Sequence, residues 1–213
     1  MSGILDILNS DLGKSLVSGV SAQTHQPQGK THEVLSMALP VLMTAMKRNA
    51  STPEGAQGLL NAITNQHDGS ILSNLSGLFS GGVDESVTAD GSKILGHVLG
   101  SKQSNVEQAI SLKSGIDAGS VAQILKVAAP ILMGLLGNQA KQQNVNSPGG
   151  LDGLLGGLLG GASKNNQQSF LESILDADKD GSIIDDVAGL FLGSDKKKGG
   201  IGGLLGGIFG GKS

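Results

Sequence analysis

A nine-residue apolar segment occurs twice in this chain, and both copies carry a proline at the same position. Residues 35–43 read LSMALPVLM, and residues 125–133, which lie ninety positions later, read LKVAAPILM. Apolar side chains would cover nearly every side of a helix built from either segment, and this predicts a central, buried helix. Proline cannot donate a backbone hydrogen bond, so we expect each helix to kink or restart, at Pro40 and at Pro130.

The offset of ninety extends well beyond the two proline-containing segments. Val20-Ser21 aligns with Ile110-Ser111, and Ala89-Asp-Gly-Ser92 aligns with Lys179-Asp-Gly-Ser182. A five-residue insertion near 139–145 shifts the register only locally. An ancient duplication explains this pattern, and two central helices that are apolar on all sides would most simply pack against each other.

The predicted fold is therefore all-α. We expect a multihelical single domain over residues 1–194, built from two tandem, pseudo-symmetric repeats at about 1–100 and 101–194, rather than two independent domains. Leu, Ala, Ser and Gly dominate the composition while β-branched and aromatic strand formers are sparse, which also favours helices. Residues 195–213, a lysine run followed by Gly/Leu repeats, have no counterpart in the first half and form a tail.

Individual helix ends carry recognisable signals. Apolar spacing predicts one amphipathic helix over residues 3–21, and Thr31 is the expected N-cap of the first central helix. Thr52-Pro53-Glu54 combines a hydroxyl cap, a proline at the first helical position and an acid in the first turn. Ser120 and Gln123 have the spacing of a capping box before the second central helix.

Composition excludes several classes of function. The net charge of −3 provides no electrostatic footprint for nucleic acid, and four Phe without Trp or Tyr provide few stacking platforms. The absence of cysteine excludes disulfides, thiolate metal sites and a cysteine nucleophile. No standard signal peptide is apparent, and the longest apolar run, residues 121–136, is too short to span a bilayer, so the sequence predicts a cytoplasmic protein.

One stretch makes a chemical suggestion, namely the acidic segment that begins at Asp176. Its carboxylates at loop positions 1, 3 and 5, followed by glycine at position 6, are typical of the opening of an EF-hand-type Ca²⁺ loop. Position 12 is Val187 instead of glutamate, so a tighter loop would have to close the site with an aspartate. The predicted Ca²⁺ ligands are Asp176, Asp178, Asp180, the main-chain carbonyl of Ser182, and Asp186.

The first copy provides an internal comparison for this segment. Residues 86–92 keep the glycine but lack two of the three acids, which suggests that the turn does not need the acids for its geometry. The alternative is that Asp-Gly-Ser forms a solvated turn whose acids cap the following helix.

No catalytic constellation emerges elsewhere. The four histidines show neither H-x-x-x-H nor H-E-x-x-H spacing; His25 and His67 are expected to be solvated in loops, whereas His32 and His97 lie near helix ends. Neither a G-x-S-x-G nucleophile motif nor a phosphate-binding loop is present. The sequence therefore predicts a protein that is not an enzyme.

The motifs resemble a known family. Over about residues 1–192 the chain resembles bacterial proteins of domain-of-unknown-function family 937. The resemblance is carried by the opening Ile-Leu-Asp-Ile-Leu-Asn, the repeated proline-containing helix and the closing segment 174–189. The resemblance implies a YidB-like multihelical fold and no defined activity.

Two hypotheses of function follow. The first is a structural or interaction module that binds a protein partner or itself, with one Ca²⁺ near its C-terminus. The second is a membrane-surface or envelope-associated protein that acts through the Gly/Leu tail, whose small-residue spacing and preceding lysines suit helix association or an anionic surface. The alternative for the tail is a flexible segment without such a role.

Overall fold

The structure is a computed structural model in which residues 3–160 are described. Within that range the chain forms α-helices joined by short turns and contains no β-strand, which confirms the all-α prediction. The helices are α1 (Ile4–Asn9), α2 (Asp11–Thr24), α3 (Gln28–Asn49), α4 (Pro53–Asn61), α5 (Leu75–Phe79), α6 (Glu85–Leu99), α7 (Gln103–Ser114), α8 (Ala118–Gln142) and α9 (Pro148–Leu159).

The two proline-containing segments lie in α3 and α8, the central helices of the bundle. They contact each other, and α8 also packs against α2, α6 and α7. One hydrophobic core draws side chains from both central helices and from most of the helices around them. Pro40 and Pro130 are buried inside helices that continue through them, so the helices do not restart there and the shared kink stays a prediction.

The tandem repeat is visible in the packing. In one half α2 lies against both central helices, and its counterpart α7 does the same in the other half. α4 and α9 contact each other and begin alike, with a hydroxyl cap followed by proline. α1 corresponds, at an offset of ninety, only to the last part of α6, residues 94–99.

The single helix predicted over residues 3–21 is wrong, because the chain breaks at Ser10. The Ser10 side chain caps α2 by accepting the N–H of Gly13 at 3.4 Å. A Cβ at Gly13 would lie 2.0 Å from the carbonyl oxygen of Leu8, so this glycine permits the tight corner between α1 and α2.

Two of the predicted caps are also wrong. Thr31 lies inside α3, completely buried, and its hydroxyl has no hydrogen-bond partner. The cap of α8 is Asp117 rather than Ser120: its Oδ1 accepts the Ser120 N–H at 2.9 Å and its Oδ2 accepts the Ser120 hydroxyl at 2.7 Å. These hydrogen bonds hold the pKa of Asp117 below its ordinary value. The predicted cap at Thr52 is confirmed.

The turn expected at residues 86–92 is wrong, since these residues form the first half of α6. Gly91 is selected by packing: a Cβ there would lie 1.8 Å from the carbonyl oxygen of Lys126 in α8. Within α8 the Lys126 carbonyl would normally accept a hydrogen bond from the N–H of residue 130, but Pro130 has no N–H. The contact with α6 therefore lies where the hydrogen bonds of α8 are interrupted. The first copy consequently gives no support to a turn in the second.

α8 is longer than its apolar run suggested, and it is long and apolar enough to cross a membrane by length and composition. In its most apolar 18-residue window, however, 72% is buried inside the bundle. Its position at the centre of the core accounts for its apolar character.

Candidate functional site

A cleft of about 710 Å³ opens between α4 and α6, beside the end of α3. We call it the interhelical cleft. Its far wall is a π-helical turn, Ala62–Gln66, that continues α4. Three buried side chains, Met46, Ile94 and Met133, form its floor, and the rim carries Arg48, Lys93 and His97.

The π-turn is held against α8 by unusually close packing. The N–H of His67 donates to the carbonyl of Ala62 at 2.9 Å, five residues earlier, as in a π-helix. A Cβ at Gly137 would lie 1.9 Å from the His67 carbonyl oxygen, so only glycine lets the turn reach α8. Gly69 then reverses the chain with φ of +95°. This wall of the cleft is therefore fixed by backbone contacts.

A salt bridge adds to this attachment. Lys141 Nζ in α8 lies 2.8 Å from Asp68 Oδ2. The Lys141 hydrogen bond, together with hydrogen bonds from Ser70, holds the pKa of Asp68 well below its usual range.

The opposite wall, α6, is tied to the end of α3. Asn49 Nδ2 donates to the carbonyls of His97 and Val98, both at 3.1 Å. Carbonyls in the last turn of a helix have no hydrogen-bond partner within the helix. The side-chain amide of Asn49 provides a donor for two of these carbonyls in α6. The register of α6 along the cleft is thereby set by α3.

Among the described residues that line the cleft, three side chains carry a formal charge. Arg48 and Lys93 are exposed cations, and Asp90 is a carboxylate. His67 Nδ1 lies 3.8 Å from Asp90 Oδ2, too far for a hydrogen bond, so the two attract only when the imidazole is protonated. The His67 side chain is only 12% exposed, and the prediction that it is solvated is wrong.

An apolar floor beneath a positive rim can hold a ligand that is apolar on one side and anionic on the other. Within residues 3–160 no group of three or more His, Asp or Glu side chains is placed to hold a metal ion.

The site residues predicted from the sequence lie outside the described range. This applies to the Ca²⁺ ligands Asp176, Asp178, Asp180, Ser182 and Asp186, and to the tail, residues 195–213. The calcium and membrane predictions therefore stay predictions.

Sequence reasoning missed the cleft because its residues come from separate elements. Arg48, His67 and Lys93 are distant in sequence and form no motif. The only local signal was the cationic end of α3, which is equally explained by the partial negative charge at a helix C-terminus.

Comparison with models of known protein families identifies the family of this chain. The sequence model of DUF937, described as a bacterial protein of unknown function, matches residues 6–139 and again residues 140–213. The chain belongs to the DUF937 family. The two matches confirm the predicted resemblance and are consistent with a tandem repeat, although the boundary between them falls later than the predicted midpoint. No curated protein and no solved structure matches the chain.

Proposed function

We propose that this DUF937 protein is a non-enzymatic interaction module that binds an acidic, amphipathic segment of a partner protein in the interhelical cleft. The observation that carries this proposal is an apolar cleft open to solvent between two walls that are each anchored independently. The anchoring indicates a preformed site, which binds with less ordering cost than a flexible one.

The apolar surface of the cleft suits a small number of inserted side chains. Leu59, Ala62 and Val98 on the walls are half-buried, and two methionines lie beneath them. Methionine is unbranched and polarizable, so it adapts to the shapes of incoming apolar groups. The volume of about 710 Å³ lies within the ordinary range for binding pockets.

The charge of the rim favours an anionic partner. Arg48 on α3 and Lys93 on α6 both line the cleft, and together they outnumber Asp90. Carboxylates along the polar face of a bound segment would face these cations, and such complementarity raises the association rate and fixes the binding register.

The α4 wall favours a helical segment. Gly55 and Gly58 line it, and at Gly58 a Cβ would meet no atom within 4 Å. At Gly58 the wall carries no side chain, so a second backbone can approach closely there, as in the helix-in-groove mode of recognition. A single-stranded nucleic acid would instead use aromatic stacking, for which the chain has no Trp or Tyr.

A peptide titration tests the proposal. The probe is a synthetic helix with leucines on one face, glutamates on the other and a single tryptophan, and a second peptide carries lysines in place of the glutamates. Because the protein has no Trp or Tyr, fluorescence reports the peptide alone. We expect saturable binding of the acidic peptide with a blue shift, and weak binding of the basic one.

Two pairs of variants separate cleft binding from non-specific association. Gly58→Phe fills the open space in the cleft and should lower affinity at least about tenfold, whereas Gly153→Phe, at the equally open counterpart in α9, should leave it unchanged. Lys93→Glu should weaken binding of the acidic peptide about threefold to tenfold, while Lys14→Glu on α2 should not. Equal binding by Gly58→Phe and the wild-type protein would refute the proposal, as would a preference for the basic peptide.

A further inference from the structure

A second cavity adjoins the interhelical cleft at one end. It has a volume of about 370 Å³ and is lined by the chain around the end of the π-turn and by the first half of α6. Gln66, His67 and Asp90 line both this cavity and the cleft. The cleft follows α6 from Asp90 to Val98, so a segment bound in the cleft would have one end beside the cavity, which we call the Asp90 pocket.

Asp90 provides the formal charge of this pocket. Its side chain is 41% exposed, and within residues 3–160 its carboxylate accepts no hydrogen bond. His67 Nδ1 lies 3.8 Å from Oδ2, and Lys93, one turn further along α6, forms no salt bridge with Asp90 in the described part of the chain. An ionised carboxylate can accept up to about four hydrogen bonds, so Asp90 is able to accept several from a ligand.

Two serines add further acceptors to the lining. Ser86 hydrogen-bonds to Asp84 through its hydroxyl and its N–H, and these bonds hold the pKa of Asp84 below its ordinary value. The hydroxyl and N–H of Ser70 bond to Asp68 in the same way. Because a hydroxyl has one hydrogen, which here goes to the neighbouring carboxylate, each serine oxygen has only lone pairs left for a ligand. Together with Asp90, the serines favour a ligand that donates hydrogen bonds.

The remaining lining of the pocket is largely apolar. Ile71, which follows the π-turn, and Val87 on α6 are half-buried, and Pro130 of α8 is buried. Long basic side chains pack their methylene stems against such surfaces and keep the charged group among polar partners. The pocket therefore suits a cation carried on an aliphatic stem.

We propose that the Asp90 pocket binds the guanidinium group of an arginine at the end of the partner segment that lies beside it. This inference rests on the proposed binding of that segment in the interhelical cleft. A guanidinium has N–H donors in a rigid fork and no acceptor, and it can form two parallel hydrogen bonds with one carboxylate. The partner segment is then acidic along the cleft and carries a single arginine at one end.

The geometry favours arginine over lysine. An ammonium is a compact point charge that Asp90 alone could neutralise, whereas the guanidinium fork can reach the carboxylate and a serine oxygen at the same time. The pocket would thus fix the direction in which the segment lies, because only one of its ends can be next to Asp90.

Peptide titrations test this inference. The acidic tryptophan-containing helix described above is made with arginine at its first or at its last position, and each version has a partner peptide with citrulline, which has nearly the same shape without the charge. The titrations are run at pH 8, where an ordinary histidine is neutral. We expect one of the two arginine peptides to bind about threefold to tenfold more tightly than its citrulline partner, and the other to show no such gain.

Two variants locate the effect in the pocket. Asp90→Asn should abolish the gain from arginine, while it binds the original acidic peptide at least as well as the wild-type protein does, because a carboxylate is lost from the cleft. Glu85→Gln removes an exposed carboxylate from the same helix, at a position that lines neither the pocket nor the cleft, and should retain the gain. Circular dichroism of both variants checks that the fold is unchanged.

Several results would overturn this inference. Binding of the acidic peptide with no gain from arginine at either end would do so and would leave the proposed function standing. A gain that survives in Asp90→Asn, that is equal at both ends of the peptide, or that lysine reproduces in full would show that the pocket does not recognise a guanidinium. Absence of binding by all of the peptides would instead refute the proposed function itself.

Discussion

Gly91→Ala tests the contact between α6 and α8 with a single added methyl group. The new Cβ would lie 1.8 Å from the Lys126 carbonyl oxygen, a backbone atom that can move only with α8. Relief requires the helices to separate, and overpacking of this kind typically costs about 1–3 kcal/mol. Separation also exposes part of Ile94 and Leu95, each worth about 1.5–3 kcal/mol when fully buried. Alanine regains about 1 kcal/mol of helix propensity, so we expect a net loss of about 2–3 kcal/mol.

The matched control lies five residues along the same helix. At Gly96 a Cβ would meet no atom within 4 Å, so Gly96→Ala should gain up to about 1 kcal/mol from propensity alone. Urea unfolding followed by circular dichroism at 222 nm measures both variants, because the chain has no tryptophan for a fluorescence assay. If Gly91→Ala proved as stable as Gly96→Ala, the close approach of α6 to α8 would be refuted.

Three further predictions concern stability and calcium. Thr31→Val removes a buried hydroxyl that has no hydrogen-bond partner and should stabilise the fold by about 1–2 kcal/mol. The control Thr24→Val loses a 2.8 Å hydrogen bond to the Val20 carbonyl and should not stabilise it. The midpoints of urea unfolding of the two variants and the wild-type protein test this difference. Asp68→Asn should lower the free energy of unfolding near neutral pH, because the pKa of Asp68 is lowered on folding. The difference in stability between the variant and the wild-type protein should shrink as the pH falls below about 4, from the pKa of the unfolded chain towards that of the folded one. An equal difference in acid and at neutral pH would contradict this prediction. Calorimetry with millimolar Ca²⁺ should give one-site binding heat if the segment that begins at Asp176 holds the ion, and the absence of heat would contradict the predicted loop.

The repeat carried most of the information about the fold. The prolines at positions 40 and 130 and the apolar residues around them located the central helices, because a helix that is apolar on all sides has only one place in a bundle. The Thr52-Pro53 start was equally readable, since capping depends on residues that are adjacent in the sequence.

Local patterns failed where tertiary packing decides. Asp90-Gly91-Ser92 has the composition of a turn, yet it is helical because α8 requires a residue without a side chain at that point. Thr31 has the chemistry of a cap but lies within the helix. The interhelical cleft could not be predicted at all, because its rim residues meet only after α3, α4 and α6 have packed.

A crystal structure of the full chain with the acidic peptide tests the central claim most directly. The account predicts a helical peptide between α4 and α6, with its leucines on Met46 and Met133 and its glutamates facing Arg48 and Lys93. A peptide bound on another face, or an empty cleft in crystals grown at saturating peptide, would contradict it.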